Sequence, residues 1–193
     1  MIMFSNLGKG KKVEKLRDLV KRMERALGEE NVVILATLND LGGQLTQKGE
    51  CEEAKEVHER CLAGRMKVLG EDHKDMLGSL NNLGNVYGSL MHYEKAVEYF
   101  ERALQGSEQL RGKNHPQTLT TVMNIAIVYN DGLKDYGKAE EMYERALEGY
   151  EAQLGKDHVD TMICTNNFSI YPKESGNNAE RLASLKIAYP HIN

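Results

Sequence analysis

The sequence predicts an all-α stack of helix hairpins, and three observations predict it. First, a short glycine-led phrase recurs as Gly28-Glu29-Glu30-Asn31, Gly70-Glu71-Asp72-His73, Gly112-Lys113-Asn114-His115 and Gly155-Lys156-Asp157-His158, at intervals of 42, 42 and 43 residues. A fixed period of this size marks a stack of similar units rather than one globular core. Second, apolar residues between the phrases fall three or four apart, the period of a helix face. Third, a small residue returns at one place in each unit: Gly42, Gly84, Ala126 and Ser169.

The N-terminal stretch 1–27 spaces Val13, Leu16, Val20, Met23 and Leu27 in a 3-4-3-4 pattern. That covers about two heptads, short of the three or four a coiled coil needs. These residues align with the second helix of a repeat (Leu27 with Leu69, Gly28 with Gly70), so residues 1–27 are predicted to be a half-repeat that caps the array. Repeats follow at 28–69, 70–111 and 112–154, and 155–193 is a degenerate repeat or cap, all within one domain.

The second repeat shows the physics. Gly70 suits a helix C′ position that needs positive φ. Asp72, with Asp75 three residues on, resembles a capping box; Asn114 with Gln117 and Asp157 with Asp160 are its equivalents. Pro116 suits a first turn. A first helix from about Met76 to Met91 carries Met76, Leu80, Leu83, Val86, Tyr87 and Leu90 on one face. Gly84 sits within that face. A glycine inside a helix costs roughly 1 kcal/mol against alanine, so close approach of a neighbouring helix is expected there. After a break at Met91-His92, a second helix begins at Tyr93, with Ala96, Phe100, Ala103 and Leu104 on its buried side. Cys51 to Leu62 and Tyr136 to Leu147 match it. Glu56/Arg60, Glu98/Arg102 and Glu141/Arg145 read as i,i+4 pairs on solvated faces. In the last unit, Pro172 falls where Tyr87 and Tyr129 stood, which ends that helix early. Only a weak helical stretch, Ala179 to Ala188, follows.

Composition narrows the chemistry. The 193 residues are 40% hydrophobic and 28% charged, with net charge −4. Both signs alternate along the chain, so no basic stripe is available to nucleic acid. No apolar run approaches the roughly 18 residues of a membrane span. The start is too short for a signal-peptide core, and these absences point to the cytoplasm. Cys51, Cys61 and Cys164 are odd in number and widely spaced, which suits buried reduced thiols rather than disulfides. His73, His115 and His158 share one inter-repeat loop and stand a repeat apart, too far to converge on an ion whose ligands lie near 2 Å. A repeated loop role is expected for them. His58 replaces Phe100 and Tyr143 at a core slot, where a hydrogen-bonded histidine is expected. No phosphate loop, dinucleotide fingerprint, HExxH helix or nucleophile elbow is present. No cofactor or metal is implied, and no enzymatic activity.

The pattern Leu80-x-x-Leu83-Gly84-x-x-Tyr87 followed by Ala96, Phe100 and Ala103 resembles the tetratricopeptide repeat. Val122, Ile125, Ala126 and Tyr129 with Ala139, Tyr143 and Ala146 repeat it, one inserted residue near Asp131 to Tyr136 accounting for the longer third unit. The standard repeat is about 34 residues long. The extended second helix, the G-x-D/N-H(P) loop and the phrase Leu80-Asn81-Asn82-Leu83-Gly84 look like the kinesin light chain subtype. The resemblance implies a right-handed α-α superhelix that binds an extended peptide on a concave face, as a scaffold or adaptor.

It also implies which residues face the ligand. With the small residue as position eight of the first helix, positions five, six and nine point inward. These are Asn39, Asp40 and Gly43; Asn81, Asn82 and Asn85; Met123, Asn124 and Ile127, with Asn130 a turn further; and Asn166 and Asn167. An asparagine both donates and accepts, so it can pair with a peptide backbone whatever its side chains. No lysine or arginine lies between Leu38 and Gln47, Met76 and Met91, or Thr118 and Leu133. This departs from the two-carboxylate clamp of some similar repeats and from the basic groove of kinesin light chains. The expected ligand is a neutral or mildly basic segment of a protein partner. Rival readings are a sensor arm of a larger signalling ATPase and a hydrolase or metalloprotein using the histidines; self-association through an end repeat is compatible with the main reading.

Overall fold

The computed structural model describes residues 2–28, 30–71, 73–169, 183, 185 and 187–189, with side chains from residue 11 onward. Asp72, Pro172 and most of 173–193 lie outside them. Among the described residues there is no strand. The helices are α1 (Ile2–Leu27), α2 (Val32–Lys48), α3 (Cys51–Leu69), α4 (Lys74–Ser89), α5 (Tyr93–Arg111), α6 (Pro116–Ile127), α7 (Tyr136–Leu154) and α8 (Val159–Ser169). The fold is all-α, built of antiparallel hairpins. The chain forms two compact units, Met1–Ala103 and Leu104–Asn193.

In the first unit, α1 packs on α2. Val13 and Val20 are buried with Ile34, Leu38, Leu45 and Cys61 in one core, and Leu16 and Met23 lie at its edge. Leu27, the last of the spaced residues, is instead 53% exposed. Gly42 and Gly84 have the close approach that their place inside a helix demands. A Cβ on Gly42 would stand 2.6 Å from the His58 ring, and one on Gly84 2.6 Å from the Phe100 ring. A fully buried aromatic ring contributes about 1.5–3 kcal/mol against leaving it exposed, and here the ring lies on bare backbone.

A second set of close-packed glycines is not foreseen from the sequence. Gly64 on α3 lies against Leu35, and a Cβ on Gly149 of α7 would stand 2.6 Å from Leu119. Both leucines are buried at the starts of the first helices. The extended second helix therefore needs a glycine where it crosses its partner.

In the second unit, Leu119, Val122, Tyr143, Tyr150, Cys164 and Phe168 form the core. The Tyr143 and Phe168 rings stack at 5.3 Å, and Leu185 and Tyr189 join the same core.

The turns follow the sequence closely at their glycines and depart from it at their caps. Gly28, Gly70, Gly112 and Gly155 all have positive φ, between 77° and 92°. The capping residue, however, is the fourth of each phrase rather than the third. Asn31 accepts from Val33 N at 2.9 Å. His73, His115 and His158 accept through Nδ1 from Asp75, Gln117 and Asp160 N, each at 3.2 Å. Asn114 and Asp157 are not the caps. The physical reason is reach: an imidazole Nδ1 sits as far from its Cα as an asparagine Oδ1 does, so it can meet the second free N–H of the helix.

The extra residue of the third repeat is also placed differently. It does not lengthen the loop over 131–136. A π-helical turn, Val128–Leu133, absorbs it within the end of the first helix, and Lys134 closes that turn at φ 56°.

Candidate functional site

Within each unit the first helices bring some of the predicted positions into contact. In the first unit, Asn82 Nδ2 on α4 donates to Asn39 Oδ1 on α2 at 2.9 Å. Asn39 and Asn82 are half-buried, whereas Asp40 and Asn85 are exposed. Asn81 Nδ2 donates to the carbonyl of Leu77 one turn back, at 3.0 Å. Gly43 is half-buried beside them. Two of the candidate ligand-binding amides thus partner each other. Asn39 keeps its donors and Asn82 its acceptor for a further group.

In the second unit the same register recurs with different chemistry. Asn167 Nδ2 on α8 approaches Met123 Sδ on α6 at 3.9 Å, a thioether standing where the first unit has an amide. Asn124 and Ile127 are half-buried, and Asn166 is exposed. Asn130 lies elsewhere. The π-helical turn carries it into the interior, where it is 6% exposed and donates to Asp131 Oδ1 at 2.7 Å.

The arginines of the second helices reach across repeats. Arg60 on α3 pairs with Glu24 on α1, and Arg145 on α7 pairs with Glu108 on α5. Met66 occupies the corresponding acidic place for Arg102, which instead lies 5.9 Å over the Tyr99 ring. Tyr99 in turn stacks on Tyr87 at 5.2 Å, and Tyr87 OH donates to Glu59 at 2.6 Å. That bond, with burial behind it, pushes the Tyr87 phenol up. These contacts brace the helices, and the arginines that make them all lie on second helices.

The reactive side chains are placed for structure. Burial holds the Cys61 thiol above its ordinary range and pushes Cys164 up to about 12, so neither is a nucleophile at neutral pH. Buried Arg65 donates to the Asp75 carbonyl and to Ser79 Oγ, both at 2.7 Å, and so ties α3 to the start of α4. His58 is 1% exposed; the Gly42 backbone is its hydrogen-bonding neighbour, and its Nδ1 has no hydrogen-bond partner. Among the described residues, no three His, Cys, Asp or Glu are grouped to hold a metal ion. Among those residues, too, no helix is long and apolar enough to cross a membrane.

The fold has close counterparts among solved structures. A putative kinesin light chain with nearly identical TPR-like repeats from Podosopora anserina superposes with a TM-score of 0.81, at 22% identity over 96% of this chain and 89% of that one. A single-substitution variant of that protein gives 0.78 at 20% identity, over 95% and 89%. BtubC (BKLC) from P. vanneervenii gives 0.68 at 19% identity, over 95% and 71%. No curated protein matches the chain by sequence. The tetratricopeptide repeat profile matches residues 33–109, 75–152 and 121–180. Across those overlapping matches the chain belongs to the tetratricopeptide repeat family, with a fold shared by kinesin light chain-like members.

Proposed function

We propose that this protein is a non-catalytic scaffold or adaptor that binds an extended segment of a protein partner along its first-helix faces. One observation carries the reading: the Asn39–Asn82 pair, held at 2.9 Å between two first helices. Fixed in this way, the pair offers a donor on Asn39 and an acceptor on Asn82. A peptide unit carries the complementary acceptor and donor. Pre-ordered amides lose little entropy on binding, which favours affinity.

Asn81, Asn85 and Asp40 border this pair. On the second unit, Asn124, Asn166 and Asn167 form a comparable face with Met123 and Ile127. Asn130 is buried and takes a supporting part. Asp40 is the one formal charge among the candidate positions, so a neutral or mildly basic segment fits best. The unbroken 42–43-residue period supports reading 1–193 as one repeat array. The cytoplasm is the proposed setting, supported by three unpaired cysteines, two of them buried.

Selection from a randomised peptide library tests the reading. Peptides that bind the natural chain are expected to bind Asn82→Ala/Asn124→Ala at least tenfold more weakly, because loss of a paired amide costs about 1–3 kcal/mol per group. Unchanged binding by the double variant removes the site; a library that yields no binder removes the function.

A further inference from the structure

His58 is the one titratable imidazole in a slot that the other hairpins fill with Phe100 and Tyr143. It sits wholly inside the first unit, 1% exposed, with its ring against the backbone of Gly42. A phenyl ring in that place only packs. An imidazole packs too, but it can also take a proton, and here Nδ1 has no partner to share one with. Gly42 lies one helical turn beyond Asn39 on α2. The ring therefore supports, from beneath, the turn whose outer side carries the Asn39–Asn82 bond.

Apart from the Gly42 backbone, the surroundings offer a charged imidazole little. On α3 the buried charge is Arg65, a cation, and the buried thiol is Cys61. The formal charges of α2 are Asp40 and Lys48, both exposed; those at the start of α4 are Lys74 and Asp75, also exposed. Facing α3 from α1, Arg17 is held by Glu50 and Glu53, and Glu24 by Arg60. No carboxylate among these pairs with His58.

We propose that His58 is a proton-sensitive latch: a proton on its ring is tolerated only when α2 leaves α3, so acidification opens the first hairpin and takes apart the Asn39–Asn82 face. Burial first, and Arg65 second, bring the imidazole down to about 4, with only the Gly42 backbone favouring the charged form. An exposed imidazole in the opened hairpin titrates near 6.5, roughly. The folded value is thus the depressed one. The stability that His58 contributes is complete above about 6.5 and is lost as pH falls towards about 4. Within that window the opening constant rises by up to about tenfold per pH unit, less steeply at its edges. The consequence for ligand binding rests on the peptide-binding reading above, but the opening itself does not.

The test uses the full chain and no ligand. Amide exchange of α2, corrected for intrinsic rates, is compared near pH 6.5 and pH 5 for the natural protein and for His58→Phe. The α2 helix is capped by Asn31 rather than by a histidine, so its amides separate His58 from the imidazole caps elsewhere. The natural protein is expected to lose about 15-fold in protection over that range and His58→Phe less than threefold, because the exposed imidazole is already about half-protonated near pH 6.5. Equal losses in both proteins overturn the proposal. The second measurement is the His58 ring resonance of the natural protein. It should show no titration in the folded state down to about pH 5, and a folded-state midpoint near 6.5 overturns the proposal even if His58→Phe does not fold.

Discussion

At the scale of single residues, the inter-repeat histidines carry a role for which imidazole is an uncommon choice. His115 accepts from Gln117 N only through a bare Nδ1, so its proton must sit on Nε2. Asn31 does the same work in the first repeat with an amide oxygen. His115→Ala is therefore expected to lower stability by about 1 kcal/mol, the usual cost of losing a cap, while His115→Asn stays within a few tenths. Urea unfolding of the two variants checks this. An alanine variant as stable as the natural chain would show that water caps α6 equally well. His73 and His158 differ from His115 in having an aspartate close by, Asp75 at 3.8 Å and Asp160 at 3.7 Å, so a substitution there changes more than the cap. His115 is consequently the cleanest place to measure the cap alone.

At the scale of elements, the two kinds of turn have different demands. Within hairpins the turn residue is left-handed: Gly49 at φ 84°, Met91 at φ 60° and Lys134 at φ 56°. Side chains are admitted there at modest cost. Between repeats, Gly70 and Gly155 combine φ of 84° and 87° with ψ of 168° and 167°, a region that is essentially glycine's alone. A Cβ on Gly155 would meet nothing within 4 Å. Gly155→Ala should nonetheless destabilise by about 1–3 kcal/mol, from backbone strain alone. A thermal melt reads this directly, and an unshifted midpoint would mean that the turn relaxes to another conformation. These recurring glycines are plain in the sequence, as are the helices, because a period of about 42 and a 3–4 apolar spacing both survive in the residue order. The π-helical turn is not legible there. Shifting a hydrogen bond from i+4 to i+5 leaves the composition of the helix face unchanged, so one inserted residue looks like loop. The paired glycines Gly64 and Gly149 recur in register, but a repeated glycine on a helix does not by itself say which leucine it meets.

At the scale of the whole molecule, charge and amides are kept apart. The chain carries 25 lysines and arginines against 29 acids. The pairs that hold helices together, Arg60 with Glu24 and Arg145 with Glu108, lie on second helices, where the spacing alone suggests simple solvated pairs. The asparagines gather on first helices, and their places follow from the register of one small residue per repeat. What the register conceals is how they are satisfied. Asn39 and Asn82 bond across two helices, and Asn130 turns inward where the π-helical turn rotates it. Neither follows from spacing, since the first depends on the distance between helices and the second on the π-helical turn. The separation of charge from amide has a measurable consequence. A ligand held by amide-to-backbone hydrogen bonds meets one formal charge among the candidate positions, the exposed Asp40. An exposed pair contributes about 0.2–1 kcal/mol and is screened within a Debye length. Raising salt from about 0.05 to 0.5 M should therefore weaken peptide binding by no more than about fivefold, the equivalent of that one pair, and Asp40→Asn should remove most of the change. Fluorescence anisotropy with a selected library peptide measures both. A hundredfold loss with salt would mean that several ion pairs hold the ligand, which places it against the charged second helices and away from Asn39 and Asn82.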